Sequence, residues 1–156
     1  MVRWFDGSMV LAPGSGWMYA TEYALLGGNA KAMDTTESAL NVIREGLPVD
    51  MIDHAGNVLC VTKSDLVPLI GGNLRSFQRK KKDGHLTPQQ SEHTLAIIGV
   101  LTSATEYFSD RETALIWMKT PQMVLGNKSA FSYLDTMAGI SFVNDIINRM
   151  KYGMTA

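Results

Sequence analysis

The four residues Thr87-Pro88-Gln89-Gln90 constrain the fold more than any other stretch of this chain. A threonine hydroxyl can accept a hydrogen bond from a backbone N–H in the first turn of a helix. Proline is preset for the first helical position, and a glutamine three residues after the cap can bond back to it. This start signal predicts a long helix running to about Phe108.

The segments after Pro48 read as helices too. Residues 49–59 carry Val49, Ile52, Ala55 and Leu59 near helical spacing. Thr62 is a cap with Asp65 three residues on, Ile70-Gly71-Gly72-Asn73 is a tight turn, and 74–83 is a helix ended by Gly84. Asp110 caps a helix bearing Ala114, Leu115, Trp117 and Met118. Thr120-Pro121 and Ser129 start two shorter pieces, and Thr136 caps a last helix that ends near Tyr152-Gly153. Gly139, Phe142, Val143, Ile146, Ile147 and Met150 form that helix's apolar face.

Before Pro48, the cluster Pro13-Gly14-Ser15-Gly16 is a loop and 17–26 a short helix. Asp34, Thr35 and Thr36 offer caps for a helix through Arg44, stopped by Gly46 and Pro48. No sustained alternation of apolar and polar residues follows Pro48. The expected class is all-α: a helix-turn-helix region followed by a small helical domain.

Composition sets limits. Of 156 residues, 46% are hydrophobic and 19% charged, which is a globular balance. A formal net charge of −1 means that any nucleic-acid binding must come from local clustering. No apolar run is long enough to span a bilayer, and Asp6 sits where a signal peptide would be apolar. The lone Cys60 lies in Val58-Leu59-Cys60-Val61, reads as a buried core residue, and fits a reducing cytoplasm.

One such cluster exists. In the helix expected from Leu74, Leu74 and Phe77 face inward, while Arg75, Gln78, Arg79 and Lys82 form an outward stripe with Ser76 and Lys81 beside it. A short helix (containing Pro68), a glycine turn and then a basic helix outline a helix-turn-helix. Arginine pairs two-fold with guanine edges and glutamine with adenine, while lysines suit phosphates. The bland alternative is a solvated charged face.

No catalytic constellation assembles. His54, His85 and His93 are scattered, with no second ligand at metal spacing. Asp110 and Glu112 are explained as helix-start charges. No catalytic residue, metal or cofactor is therefore assigned. The methionines are read mostly as core filler.

The C-terminal third carries an ordered series: Ala104, Phe108, Ala114-Leu115-Ile116-Trp117-Met118-Lys119-Thr120-Pro121, Leu125-Gly126, Tyr133-Leu134-Asp135-Thr136, Gly139, Val143 and Arg149-Met150-Lys151-Tyr152-Gly153. It resembles the toxin-binding domain shared by the Xre, MbcA and ParS antitoxins. Upstream, 44–49 and 79–87 resemble the Xre-type helix-turn-helix, so the likeness covers about Ala39 to Gly153. Ala130 stands where that family usually has proline, Gln122 where asparagine is common, and Asn127 where a second glycine is frequent.

The resemblance implies a division into 1–35 of unclear role, 36–102 as helix-turn-helix region and 103–156 as toxin-binding domain. It implies a non-enzymatic cytoplasmic antitoxin, without cofactor, that dimerises. Its C-terminal domain would block the NAD pocket of a RES-domain toxin, and its helix-turn-helix would bind operator DNA and repress the operon. Arg149, Lys151, Tyr152 and Gly153 become the candidate toxin contacts. Arg75, Ser76, Gln78, Arg79, Lys81 and Lys82 become the candidate DNA contacts. The alternative is a stand-alone helix-turn-helix regulator whose C-terminal domain dimerises or senses a ligand.

Overall fold

A computed structural model describes residues 2–5, 8–11, 19–80 and 83–153, the first two segments as backbone only. Strands β1 (Val2–Phe5) and β2 (Ser8–Leu11) pair antiparallel, with Val2 opposite Leu11 and Phe5 opposite Ser8. No strand is expected here from the residue pattern. From residue 19 the elements of the described chain are helical, and after Pro48 this is what the missing alternation predicted. The helices are α1 (Ala20–Leu25), α2 (Thr36–Glu45), α3 (Met51–Leu59), α4 (Lys63–Leu69), α5 (Leu74–Arg79), α6 (Pro88–Phe108), α7 (Arg111–Lys119) and α8 (Met137–Lys151). Short 3-10 turns lie at Ala30–Met33, Met123–Leu125 and Ala130–Tyr133. Of the short helix expected at 17–26, α1 is the observed part, and Trp17 lies outside the described residues.

The long helix begins where its cap said. Thr87 Oγ1 accepts from the Gln90 N–H, and the Gln90 side chain accepts from the Thr87 N–H, both at 3.1 Å. All of 94–98 are buried, so this part of α6 is enclosed on every side. Helices α1, α2, α3, α7 and α8 all pack against it. Each buried Leu or Ile contributes roughly 1.5–3 kcal/mol of burial. Its polar members are satisfied: Ser91 Oγ donates to the Thr87 carbonyl and accepts from the Leu47 N–H, both at 2.8 Å. A single apolar cluster runs from Leu26 to Ile147 through both halves of the chain. The boundary drawn at 102/103 thus falls inside one uninterrupted helix.

Two expectations need correction. The helix from Leu74 stops at Arg79 rather than Asp83, with Lys80 extended. The cause is non-local. Residues 84–86 pair with 47–49, through Val49 N–H to Gly84 O at 2.9 Å and Leu86 N–H to Leu47 O at 2.8 Å. Lys80 Nζ donates to the His85 carbonyl at 3.0 Å, pinning the exit. Cys60 is exposed, not buried. It ends α3 in the left-handed region at φ 54°, which turns it out while Leu59 stays inside. No helix among the described residues is long and apolar enough to cross a membrane.

Candidate functional site

Two surfaces carry the residues singled out by the sequence. The first is α5. Helix α4 starts at its cap Thr62, whose Oγ1 accepts from the Asp65 N–H at 3.2 Å. Pro68 lies in the last turn of α4, where the missing N–H costs one bond and the helix ends directly after. The chain turns through Gly71 at φ 74°, and Asn73 Oδ1 accepts from the N–H groups of Arg75 and Ser76 at 2.9 and 3.3 Å. Phe77 is buried and Leu74 half-buried, so that face packs inward. Arg75, Ser76, Gln78 and Arg79 are exposed. Lys81 and Lys82 lie outside the described residues. Lys80, not singled out by the sequence, is half-buried with its ammonium 5.3 Å from the Phe77 ring centre.

The second surface is the end of α8. Thr136 Oγ1 accepts from the Gly139 N–H at 2.9 Å, which sets the start of the helix. Gly139 is buried against Tyr133: a Cβ there would collide with the Tyr133 carbonyl oxygen. His93 on α6 donates from Nε2 to the Leu134 carbonyl at 2.7 Å. At the other end, Lys151 Nζ lies 2.9 Å from Ser103 Oγ and 2.7 Å from Glu106 Oε2. Since 134 meets 93 and 151 meets 103–106, α8 runs alongside α6 in the same direction. Arg149 and Tyr152, on either side of this second fastening, are exposed, and Gly153 turns the chain at φ 66°. The four tail residues are therefore adjacent but not equivalent. Three face solvent, and the Lys151 ammonium is folded back onto the protein.

An acidic neighbour stands behind that contact. Glu22 on α1 is 7% exposed and reaches α6 at Gly99, where an added Cβ would stand 3.6 Å from its Oε1. Burial raises its carboxyl above the ordinary value, its own backbone N–H lowers it, and Glu106 raises it further. Tyr19 beside it is pushed up to about 12, by burial first and then by Glu92 and Glu22. Neither feature was visible in the sequence, because α1 and α6 are far apart along the chain.

The departures from the family pattern lie in the loop between α7 and α8. Asn127 takes φ 62°, a left-handed conformation that glycine or asparagine tolerates best. Gln122 caps Met123–Leu125 without a side-chain bond and donates instead to the Thr120 carbonyl at 3.2 Å. Trp117 is half-buried, its ring 5.9 Å from that of Phe108, in keeping with a packing role. Phe142 differs from expectation: it is 40% exposed and packs on Tyr133 at 5.3 Å between ring centres. Among the described residues, the large hydrophobics that are exposed lie, apart from Leu40, from Tyr107 to Tyr152. The three histidines stay apart, and no cluster of metal-ligating side chains occurs among the described residues.

Comparison with known proteins points the same way. Residues 103–153 match the family described as the antitoxin Xre/MbcA/ParS C-terminal toxin-binding domain. An antitoxin Xre of Yersinia enterocolitica is 33% identical over 114 residues, covering 72% of this chain and 77% of the relative. An antitoxin Xre of Photorhabdus laumondii is 31% identical over 117 residues, covering 74% of this chain and 79% of the relative.

Proposed function

This chain belongs to the Xre family of antitoxins, and from that premise we propose that it silences an NAD-degrading RES-domain toxin with the end of α8 and represses its own operon through α5. The antitoxin role comes with the family. The identity of the toxin, the mode of inhibition and the DNA target are our reading.

The exposure of Arg149 and Tyr152 at the tip of a fastened helix supports the toxin half. A rigid helix end loses little entropy on docking. Tyrosine and arginine are the side chains that most often anchor protein interfaces. A pocket built for the phosphates of NAD is itself cationic, so Tyr152 is the residue suited to enter it. Arg149 suits acidic groups on the rim, where its planar fork can pair two-fold with a carboxylate. The exposed apolar residues between Tyr107 and Tyr152 would supply the remaining contact area.

The exposed quartet Arg75, Ser76, Gln78 and Arg79 over a buried Phe77 supports the DNA half. A dimer would present two such helices to a two-fold symmetric operator. Both activities fit a cytoplasmic protein without a cofactor.

The test is protection of cells that express the toxin. The double variant Arg149→Glu, Tyr152→Ala should stop protecting while binding promoter DNA as the wild type does. Protection undiminished by this variant would refute the tail as the inhibitory element and favour a plain regulator.

A further inference from the structure

The candidate tail contains one cation that does not face outward. Lys151 is the last residue of α8, and its side chain is 16% exposed. Its ammonium is shared between Glu106 Oε2 at 2.7 Å and Ser103 Oγ at 2.9 Å. Ser103 and Glu106 are three apart on α6, so both point to one face of that helix. Ser103 is itself buried, and Glu106 is 29% exposed. A charge-assisted pair in such a half-sheltered place holds geometry better than a surface pair does. A second side-chain hydrogen bond from α6 reaches the far end of this stretch, from His93 to the Leu134 carbonyl ahead of the α8 cap. Helix α8 is thus fastened before its first turn and at its last residue, and Arg149 and Tyr152 flank the second fastening. Beyond it the backbone closes with Tyr152 N–H to Asn148 O at 3.1 Å and Gly153 N–H to Met150 O at 3.3 Å. Those bonds alone would let the final turn fray.

We infer that Lys151 is a positioning residue, which locks the last turn of α8 onto the Ser103–Glu106 face of α6 and so presents Arg149 and Tyr152 to the toxin in one orientation. This rests on the antitoxin reading for its consequence, though not for its geometry. Lys151 does not contact the toxin. Its removal lowers inhibition because the tip is no longer held, and the loss should be restored by any pair of groups that recreates the latch.

The experiment uses the full-length protein with its co-purified toxin, and reads NAD loss alongside amide hydrogen exchange. Lys151→Met should weaken inhibition about tenfold, the scale expected for one lost charge-assisted bond. Exchange at 148–153 in the free antitoxin should rise, with the rest of α8 unchanged. The swapped pair Glu106→Lys, Lys151→Glu should recover both readouts. So should Lys151→Arg, at least in part. If the swapped pair inhibits no better than Lys151→Met while its exchange returns to normal, Lys151 touches the toxin directly and the inference falls. Unchanged exchange in Lys151→Met overturns it as well. Should the wild-type protein fail to suppress NAD loss, the RES-toxin reading fails, and exchange in the free protein still decides whether the latch exists.

Discussion

His93 and Leu134 are joined across 41 residues by a 2.7 Å hydrogen bond from the imidazole Nε2 to the backbone carbonyl. A carbonyl can only accept, so Nε2 carries the proton. The bond ties the middle of the molecule to the turn that launches α8. His93→Ala should leave the part-buried carbonyl unpaired and cost about 1–3 kcal/mol. His93→Gln, which keeps a donor, should cost less. Urea unfolding of the two variants checks this, and equal losses would deny the bond its role.

Gly139 and Gly153 make a contrasting pair. A Cβ on Gly139 would run into the Tyr133 backbone carbonyl, which has no flexible end to move aside. Gly139→Ala should therefore cost about 2–4 kcal/mol by overpacking. Around Gly153 nothing lies within 4 Å of an added Cβ. There only the left-handed backbone resists, so Gly153→Ala should cost roughly 1–2 kcal/mol locally. Thermal unfolding should fall clearly for the first variant and hardly at all for the second, whose strain frayed tail residues can relieve.

Glu22 gives a pH signature. Burial raises its carboxyl, so the native state holds the proton more tightly than the unfolded chain does. Stability contributed by the neutral form is full below the unfolded value. It is lost as pH rises from there through the raised native value. Glu22→Gln cannot ionise. It should raise the Tm at neutral pH and leave it nearly unchanged at pH 4. An equal shift at both pH values would contradict the assignment.

The α5 surface is tested by salt. Arg75→Ala with Arg79→Ala should weaken promoter binding. The slope of log affinity against log salt should shrink by about 0.9 for each phosphate contact removed. Phe77→Ala should act differently, since Phe77 is buried. It should destabilise the fold by about 3–5 kcal/mol. DNA affinity unaffected by the arginine pair would move the DNA-binding surface elsewhere.

Much of this molecule is legible locally. Thr87, Asp110, Ser129 and Thr136 all cap the elements they announce, because a cap is a bond between residues three apart. The inward face of α5 follows from two side chains on one turn. What the sequence hides is non-local. The early end of α5 depends on the pairing of 84–86 with 47–49. Cys60 sits in an apolar run, but a left-handed residue at the end of a helix points outward. Lys151 read as one more cation of an exposed tail. Its partners Ser103 and Glu106 lie 48 and 45 residues away, and only the packing of α8 on α6 brings them to it. Within the C-terminal third, the family motif marked the turns but not the exposed Met123 and Val124.

The most direct test of the account is NAD consumption by the toxin that co-purifies with this protein from its native operon. The isolated toxin should consume NAD, the wild-type antitoxin should suppress that loss, and Arg149→Glu, Tyr152→Ala should restore it. A partner that leaves NAD alone, or one inhibited equally by the wild type and the tail variant, would contradict the account.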